Sequence, residues 1–266
     1  MSTRAIQSRD NALFQELRRL EHSVKERRQS GLALIEGPHL LQAFSAASSA
    51  CAHIVAVGES ALARPAIREL FHATEANTKV VLSDALISVV SQVVTSQGLL
   101  AVIPLPTTPQ PATVGADALL LDRVQDPGNL GSILRTALAA GVREVFLSSG
   151  TVDAWNPKVL RAGMGAHFGL CLHLDVPLSE AIKTIGTRSF ATRIGATRSL
   201  YDLDLMDPAA WVFGNEGAGV SVDVADAESI CIPMPGGTES LNVAAAVAVC
   251  LFEQLRQRRD ASARSQ

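Results

Sequence analysis

A chain of 266 residues with 47% hydrophobic side chains, 4% aromatics and a formal net charge of −3 can bury a real core in roughly one or two domains. Its charge is uneven: residues 1–30 hold seven Lys/Arg against four Asp/Glu, whereas residues 111–266 hold thirteen against seventeen. The sum does not advertise a nucleic-acid binder, and the modestly basic arm on an acidic body reads either as a local hold on a polyanion or as a solvated amphipathic helix. Cys51, Cys171, Cys231 and Cys250 stand far apart in apolar runs without CxxC spacing, which reads as reduced core thiols. The six histidines form no HxxxH pair, so no metal is expected. No apolar segment follows the charged start, and the longest apolar run, Val243 to Phe252, is far shorter than the roughly 20 residues of a membrane span. A soluble, cytoplasmic protein is expected.

Leu13, Leu17, Leu20 and Val24 recur with helical period among charges, which predicts one amphipathic helix from Asn11 to Gln29, ended by Ser30-Gly31. Leu32 to Ile35 reads as a strand, Glu36-Gly37-Pro38 as a turn and His39 to Ala47 as a helix. Ile54 to Val57, Lys79 to Leu82 and Leu99 to Ile103 are further short strands with helices between them, making a small α/β domain over residues 1–103. Four prolines between Pro104 and Pro111 suit neither helix nor central strand, so residues 104–116 are read as a semi-rigid linker.

Residues 117–266 open with Ala118 to Val124, a continuous apolar run suited to a strand buried on both faces. Strands at Glu144 to Ser148, Gly169 to Leu174, Phe190 to Ile194, Ala210 to Gly214 and Ser229 to Ile232 alternate with helices, which predicts a covered parallel sheet. The last helix, from about Ser240 to Arg258, is apolar nearly all round through Leu251 and so asks for cover on more than one side.

Three stretches fall at strand-to-helix turns, where open α/β sheets place ligands. In Asp126-Pro127-Gly128-Asn129-Leu130-Gly131-Ser132-Ile133-Leu134-Arg135-Thr136-Ala137, Asn129 lies near a helix N-terminus, and Arg135 falls beside the apolar stripe rather than within it. Neither GxGxxG nor a Walker lysine is present, which argues against a dinucleotide or P-loop site. In Phe213-Gly214-Asn215-Glu216-Gly217-Ala218-Gly219, three glycines surround a carboxylate suited to accept from an arginine. In Ile232-Pro233-Met234-Pro235-Gly236-Gly237-Thr238-Glu239-Ser240-Leu241-Asn242-Val243, the prolines stop the strand and the glycines let the backbone approach a ligand, with Ser240 and Asn242 at the helix mouth.

These three stretches, in this order, resemble the motifs of the SpoU/TrmH family of SPOUT-class RNA 2′-O-ribose methyltransferases, and the resemblance covers residues 118–258. Through Leu34-Ile35-Glu36-Gly37-Pro38-His39, the first domain resembles the ribosomal-protein-like substrate-binding domain of many members. The resemblance implies an α/β fold whose parallel sheet carries a deep trefoil knot. It also implies S-adenosyl-L-methionine as cofactor and a homodimer through the C-terminal domain. It maps cofactor binding to Gly214, Ile232, Met234 and Leu241, and catalysis to Asn129, Arg135, Glu216, Ser240 and Asn242. Lys158 and Arg161 are candidate RNA phosphate contacts, a solvated helix being the other reading of both. Many members have a serine near Gly163, and Ala244 stands where a serine is frequent, which bears on substrate detail.

The implied reaction is in-line methyl transfer to a ribose 2′-hydroxyl. An arginine guanidinium, with a pKa above about 12, is a poor general base. Arg135 is therefore expected to position phosphate and hydroxyl, with phosphate or water taking the proton. Ribosomal RNA is the leading substrate and transfer RNA the alternative. A knotted RNA-binding protein without catalysis and a drug-resistance methyltransferase of similar layout are the remaining readings.

Overall fold

A computed structural model describes residues 4–47, 50–93, 95–106, 112–215, 217–221, 224 and 226–264. The chain forms two compact units: Met1–Thr108 with Trp155–Phe168, and Pro109–Ala154 with Gly169–Gln266.

The first unit runs β1 (Arg4–Ile6), α1 (Ala12–His22), α2 (Val24–Ser30), β2 (Leu32–Glu36), α3 (Pro38–Ala47) and β3 (Ala52–Gly58). It continues with α4 (Glu59–Leu62), α5 (Pro65–Ala73), β4 (Ala76–Leu82), α6 (Asp84–Val90) and β5 (Leu99–Pro104). The five strands lie in the order β1-β4-β3-β5-β2, with β5 antiparallel to both neighbours and the other pairs parallel. Phe14, Leu17 and Leu20 of α1 and Leu86, Ile87 and Val90 of α6 share a core with Leu34, Ile54, Ala56, Val80 and Val102 of the sheet.

The single helix expected over 11–29 is two. Ser23 adopts extended angles, ends α1, and caps α2 by accepting the Glu26 N–H at 3.2 Å. Ser23-x-x-Glu26 is a capping-box spacing inside a continuous apolar period, and the local cap overrides the period. Arg27, 1% exposed, folds back so that its Nη1 donates to the Leu20 carbonyl at 2.6 Å, satisfying a helix end that would otherwise be buried unpaired.

The second unit runs β6 (Ala118–Leu121), α7 (Pro127–Ala140) and β7 (Glu144–Leu147), and after α8 (Pro157–Gly163) it resumes with β8 (Cys171–His173) and α9 (Leu178–Ile185). β9 (Arg188–Thr192), β10 (Ala209–Phe213), β11 (Glu228–Ile230) and α10 (Val243–Arg264) complete it. Its six strands are all parallel, in the order β11-β9-β10-β6-β7-β8. All four residues of β6 and all five of β10 are buried, as strands covered on both faces must be. Ala118, Leu120, Ala210 and Val212 face α9 through Leu178, Ala181, Ile182 and Ile185. Trp211 points to the opposite face, where its Nε1 donates to Gln254 of α10 at 2.7 Å, and α10 packs against α7.

The C-terminal half of α10 is tied to the start of β6. Arg258 donates to both Asp117 oxygens, at 2.5 and 3.0 Å, and Gln254 Nε2 and the Ala209 N–H add bonds of 2.8 and 2.9 Å. Burial would raise the Asp117 carboxyl, but the hydrogen bonds and charge of Arg258, with those of Ala209 and Gln254, hold it below its ordinary value of 3.8. A depressed carboxylate stabilises the fold above pH 3.8, and the contribution is lost as pH falls through the folded-state value. Asp117→Asn is expected to cost about 2 kcal/mol at pH 7, between the exposed and buried limits for an ion pair. The loss should narrow as pH drops below 3.8, read from urea midpoints; an equal loss at both ends would remove ionisation from the explanation.

α8 groups with the first unit. Arg161 Nη1 lies 3.9 Å from Glu21 Oε1 and 3.6 Å from Glu36 Oε2, while Glu36 Oε1 accepts from Ser91 and Ser96 hydroxyls at 2.5 and 2.8 Å. Burial pushes the Glu21 carboxyl up to about 7, with Arg161 opposing and Glu36 reinforcing the rise. Because this lies above the ordinary 4.5, protonated Glu21 stabilises the fold fully below about pH 4.5, and that stabilisation is lost as pH rises through 7. Glu21→Gln is expected to raise the urea midpoint at pH 8 and to change it little at pH 5. A lower midpoint at pH 8 would mean that attraction to Arg161 outweighs desolvation.

Candidate active site

At the C-terminal edge of the parallel sheet, a cleft of ≈ 170 Å³ opens between the ends of β9 and β11. Thr192, Arg193, Ile194 and Gly195 line one side, and Ile230, Cys231, Ile232, Met234 and the segment Glu239-Ser240-Leu241 line the other, with Ala246 of α10. This chemistry fits a donor with a flat heteroaromatic ring and a zwitterionic amino-acid end: branched apolar walls, a glycine that lets the backbone come close, one guanidinium and one carboxylate.

Beside the cleft, α7 and α10 begin close together. Asp126 caps α7 by accepting the Asn129 N–H at 2.7 Å, Pro127 fills the first turn, and Gly141 closes the helix in the left-handed region. The cap is Asp126 and not Asn129, which directs the Asn129 side chain elsewhere: its Oδ1 accepts from Asn242 Nδ2 at 2.9 Å. Asn242 in turn caps α10, its Oδ1 accepting the Ala244 N–H at 2.9 Å. One amide thus fixes the start of α10 and joins the first motif to the third across 113 positions.

The second motif forms a tight loop. Asn215 and Gly219 exchange backbone bonds of 3.1 and 2.9 Å, Asn215 Oδ1 accepts from the Gly217 and Ala218 N–H groups at 2.9 and 3.0 Å, and Asn215 Nδ2 donates to the Arg123 carbonyl at 2.9 Å. The loop's exit is anchored where the Ser221 N–H donates to Asp122 Oδ2 at 2.7 Å. Burial would raise that carboxyl, and its bonds from Ser221 and Arg123 hold it below the ordinary range instead.

The structure brings Asn129 and Asn242 into contact and sets Ile232, Met234, Ser240 and Leu241 around the cleft. Gly214 does not line the cleft, and its place is under the Asn215–Gly219 loop. Arg135 is exposed on α7, about 9 Å along the helix axis from Asn129, with no hydrogen bond or ion pair among the described residues. Glu216 lies outside the described residues. Lys158 and Arg161 belong to α8 in the first unit, where Arg161 faces Glu21 and Glu36. The 192–195 side of the cleft went unnoticed in the sequence, although Phe190 to Ile194 followed by Gly195 is a strand end at the same sheet edge. Among the described residues no group of three or more His, Cys, Asp or Glu side chains gathers as a metal site, and no helix is long and apolar enough to cross a membrane.

The model of the SpoU rRNA Methylase family matches residues 117–252, and that of the MRM3-like substrate binding domain matches residues 11–101. The chain is 36% identical to an uncharacterized tRNA/rRNA methyltransferase of Synechocystis sp., covering 97% of this chain and 96% of that one. It is 31% identical to the 23S rRNA (guanosine(2553)-2′-O)-methyltransferase RlmP of Bacillus subtilis, covering 93% and 97%. The SpoU methyltransferase AviRb of Streptomyces viridochromogenes, solved with AdoMet, superimposes with a TM-score of 0.84 at 25% identity, covering 94% and 98%.

Proposed function

Because this chain belongs to the SpoU rRNA methylase family, we propose that it transfers the methyl group of S-adenosylmethionine to a ribose 2′-hydroxyl of ribosomal RNA. The observation that carries this is the cleft: its floor and one wall are the third motif, whose Asn242 is bonded to Asn129 of the first. When bound, the cofactor supplies an electrophilic methyl on sulfonium. The chain's own part is orientation and charge: Ile232, Met234 and Leu241 hold the donor, while Asn129, Ser240 and Asn242 meet the ribose at the cleft's rim. Arg135 grips the adjacent phosphate. The likeness over 93% of the chain to a methyltransferase named for 23S rRNA supports ribosomal RNA over transfer RNA.

The finer parts of the reading rest on the same ground. Residues 1–103 bind RNA, with Lys158 and Arg161 contributing, 104–116 link, and 117–266 catalyse. Two copies pair through the C-terminal domain, where Ala245 and Phe252 leave an apolar face of α10 exposed in the single chain. β11 lies at one edge, with β9 and β10 between it and β6, so the segment from β11 to α10, whose Asn242 meets Asn129 of α7, crosses both strands, in keeping with trefoil threading. The protein works where ribosomes are made, in the cytoplasm. Mapping 2′-O-methyl groups in RNA from a strain lacking the protein tests the function. Loss of one ribosomal RNA methyl is expected, loss from transfer RNA alone would move the substrate, and an unchanged map would sink the reading.

A further inference from the structure

Among the described residues lining the cleft, only Arg193 and Glu239 carry charge, and the structure treats them differently. Arg193 is committed: Nη1 donates to Ser229 Oγ at 3.0 Å and Nη2 to the Val224 carbonyl at 2.9 Å. Glu239 has neither hydrogen bond nor ion pair among the described residues, and it precedes Ser240 and Leu241 on the cleft's wall. Glu239 is exposed at the cleft's mouth, as Leu241 is, so solvent screens part of its charge.

Methyl transfer changes the charge of what occupies such a cleft. The S–CH₃ bond breaks as the C–O bond forms, and the hydroxyl proton leaves. A sulfonium cation thereby becomes a neutral thioether, whereas the α-ammonium, α-carboxylate and adenine are common to donor and product. Resting on the assignment of this cleft to the methyl donor, we propose that Glu239 sets the preference for S-adenosylmethionine over S-adenosylhomocysteine, acting through the one charge that the two do not share. A carboxylate so placed favours exchange of spent product for fresh donor without touching the reacting hydroxyl.

Calorimetric titration of the full chain and of Glu239→Gln tests this with three ligands: the donor, the product, and an analogue bearing a protonated amine in place of the sulfonium. Glu239→Gln is expected to weaken the donor and the amine analogue about two- to fivefold, the range of one solvent-exposed charge pair, and to leave the product unchanged. Glu239→Asp should restore part of the difference. Equal weakening of all three would overturn the proposal by showing that the carboxylate reads a shared group, and so would three unchanged affinities. If the unaltered chain bound none of the three, the donor's placement in this cleft would fall and the proposal with it.

Discussion

Arg135→Ala is expected to lower methyl transfer about a hundredfold or more while leaving the dissociation constant for S-adenosylmethionine within a factor of two. Arg135 is exposed on α7 and is not among the residues that line the cleft, so its loss should not disturb the donor. The role proposed for it is geometric. A guanidinium presents a rigid fork that can hold a phosphate and a neighbouring hydroxyl together, and misplacing a reacting hydroxyl by about 1 Å can cost on the order of a hundredfold. Arg135→Lys keeps the charge and loses the fork, so it should recover less than about a tenth of the lost rate. Single-turnover assays on RNA, with calorimetry for the donor, separate the two effects. A lysine variant close to full activity would show that charge alone suffices, and an alanine variant with weakened donor binding would place Arg135 at the cleft.

Much of the second unit was legible because strands buried on both faces must be apolar throughout. Ala118 to Leu121 and Ala209 to Phe213 are such runs, and their ends fall within a residue or three of the expected ones. What escaped was set by single polar contacts or by topology. β1, three residues long and mostly exposed, has no apolar run to announce it and exists through its pairing with β4. Asp126, not Asn129, caps α7 because Asp-Pro places an acceptor ahead of a first turn that proline already favours. α8 lies within the sequence of the second unit and packs with the first, which no local pattern encodes.

The same division holds for the site. Ile232, Met234, Ser240 and Leu241 were legible because one Pro/Gly turn carries them all into the cleft. Thr192 to Gly195 were not, because only the order β11-β9-β10 brings the end of β9 beside the end of β11. The link from Asn242 to Asn129 is likewise a product of topology, joining residues whose types suited many roles.

Gly214, a proposed cofactor contact, also has a part in the fold. A Cβ added there would lie 2.1 Å from the Gly219 carbonyl carbon, 2.2 Å from its oxygen and 2.2 Å from the Val220 nitrogen. All three are backbone atoms, so no side-chain rotation relieves the clash. The loop could retreat only by giving up the paired Asn215–Gly219 bonds and the Asn215 bond to the Arg123 carbonyl, while Ser221 is held to Asp122 on the far side. Gly214→Ala is therefore expected to destabilise the fold by about 3 kcal/mol, the upper end for overpacking, because backbone and not side chains must yield. Since this loop leaves β10 directly beside β9, whose end forms one wall of the cleft, donor affinity should fall as well. Urea unfolding with and without S-adenosylmethionine reads both effects. A variant within about 0.5 kcal/mol of the unaltered chain would show a loop that moves freely. Weakened donor binding at unchanged stability would return Gly214 to direct contact with the cofactor.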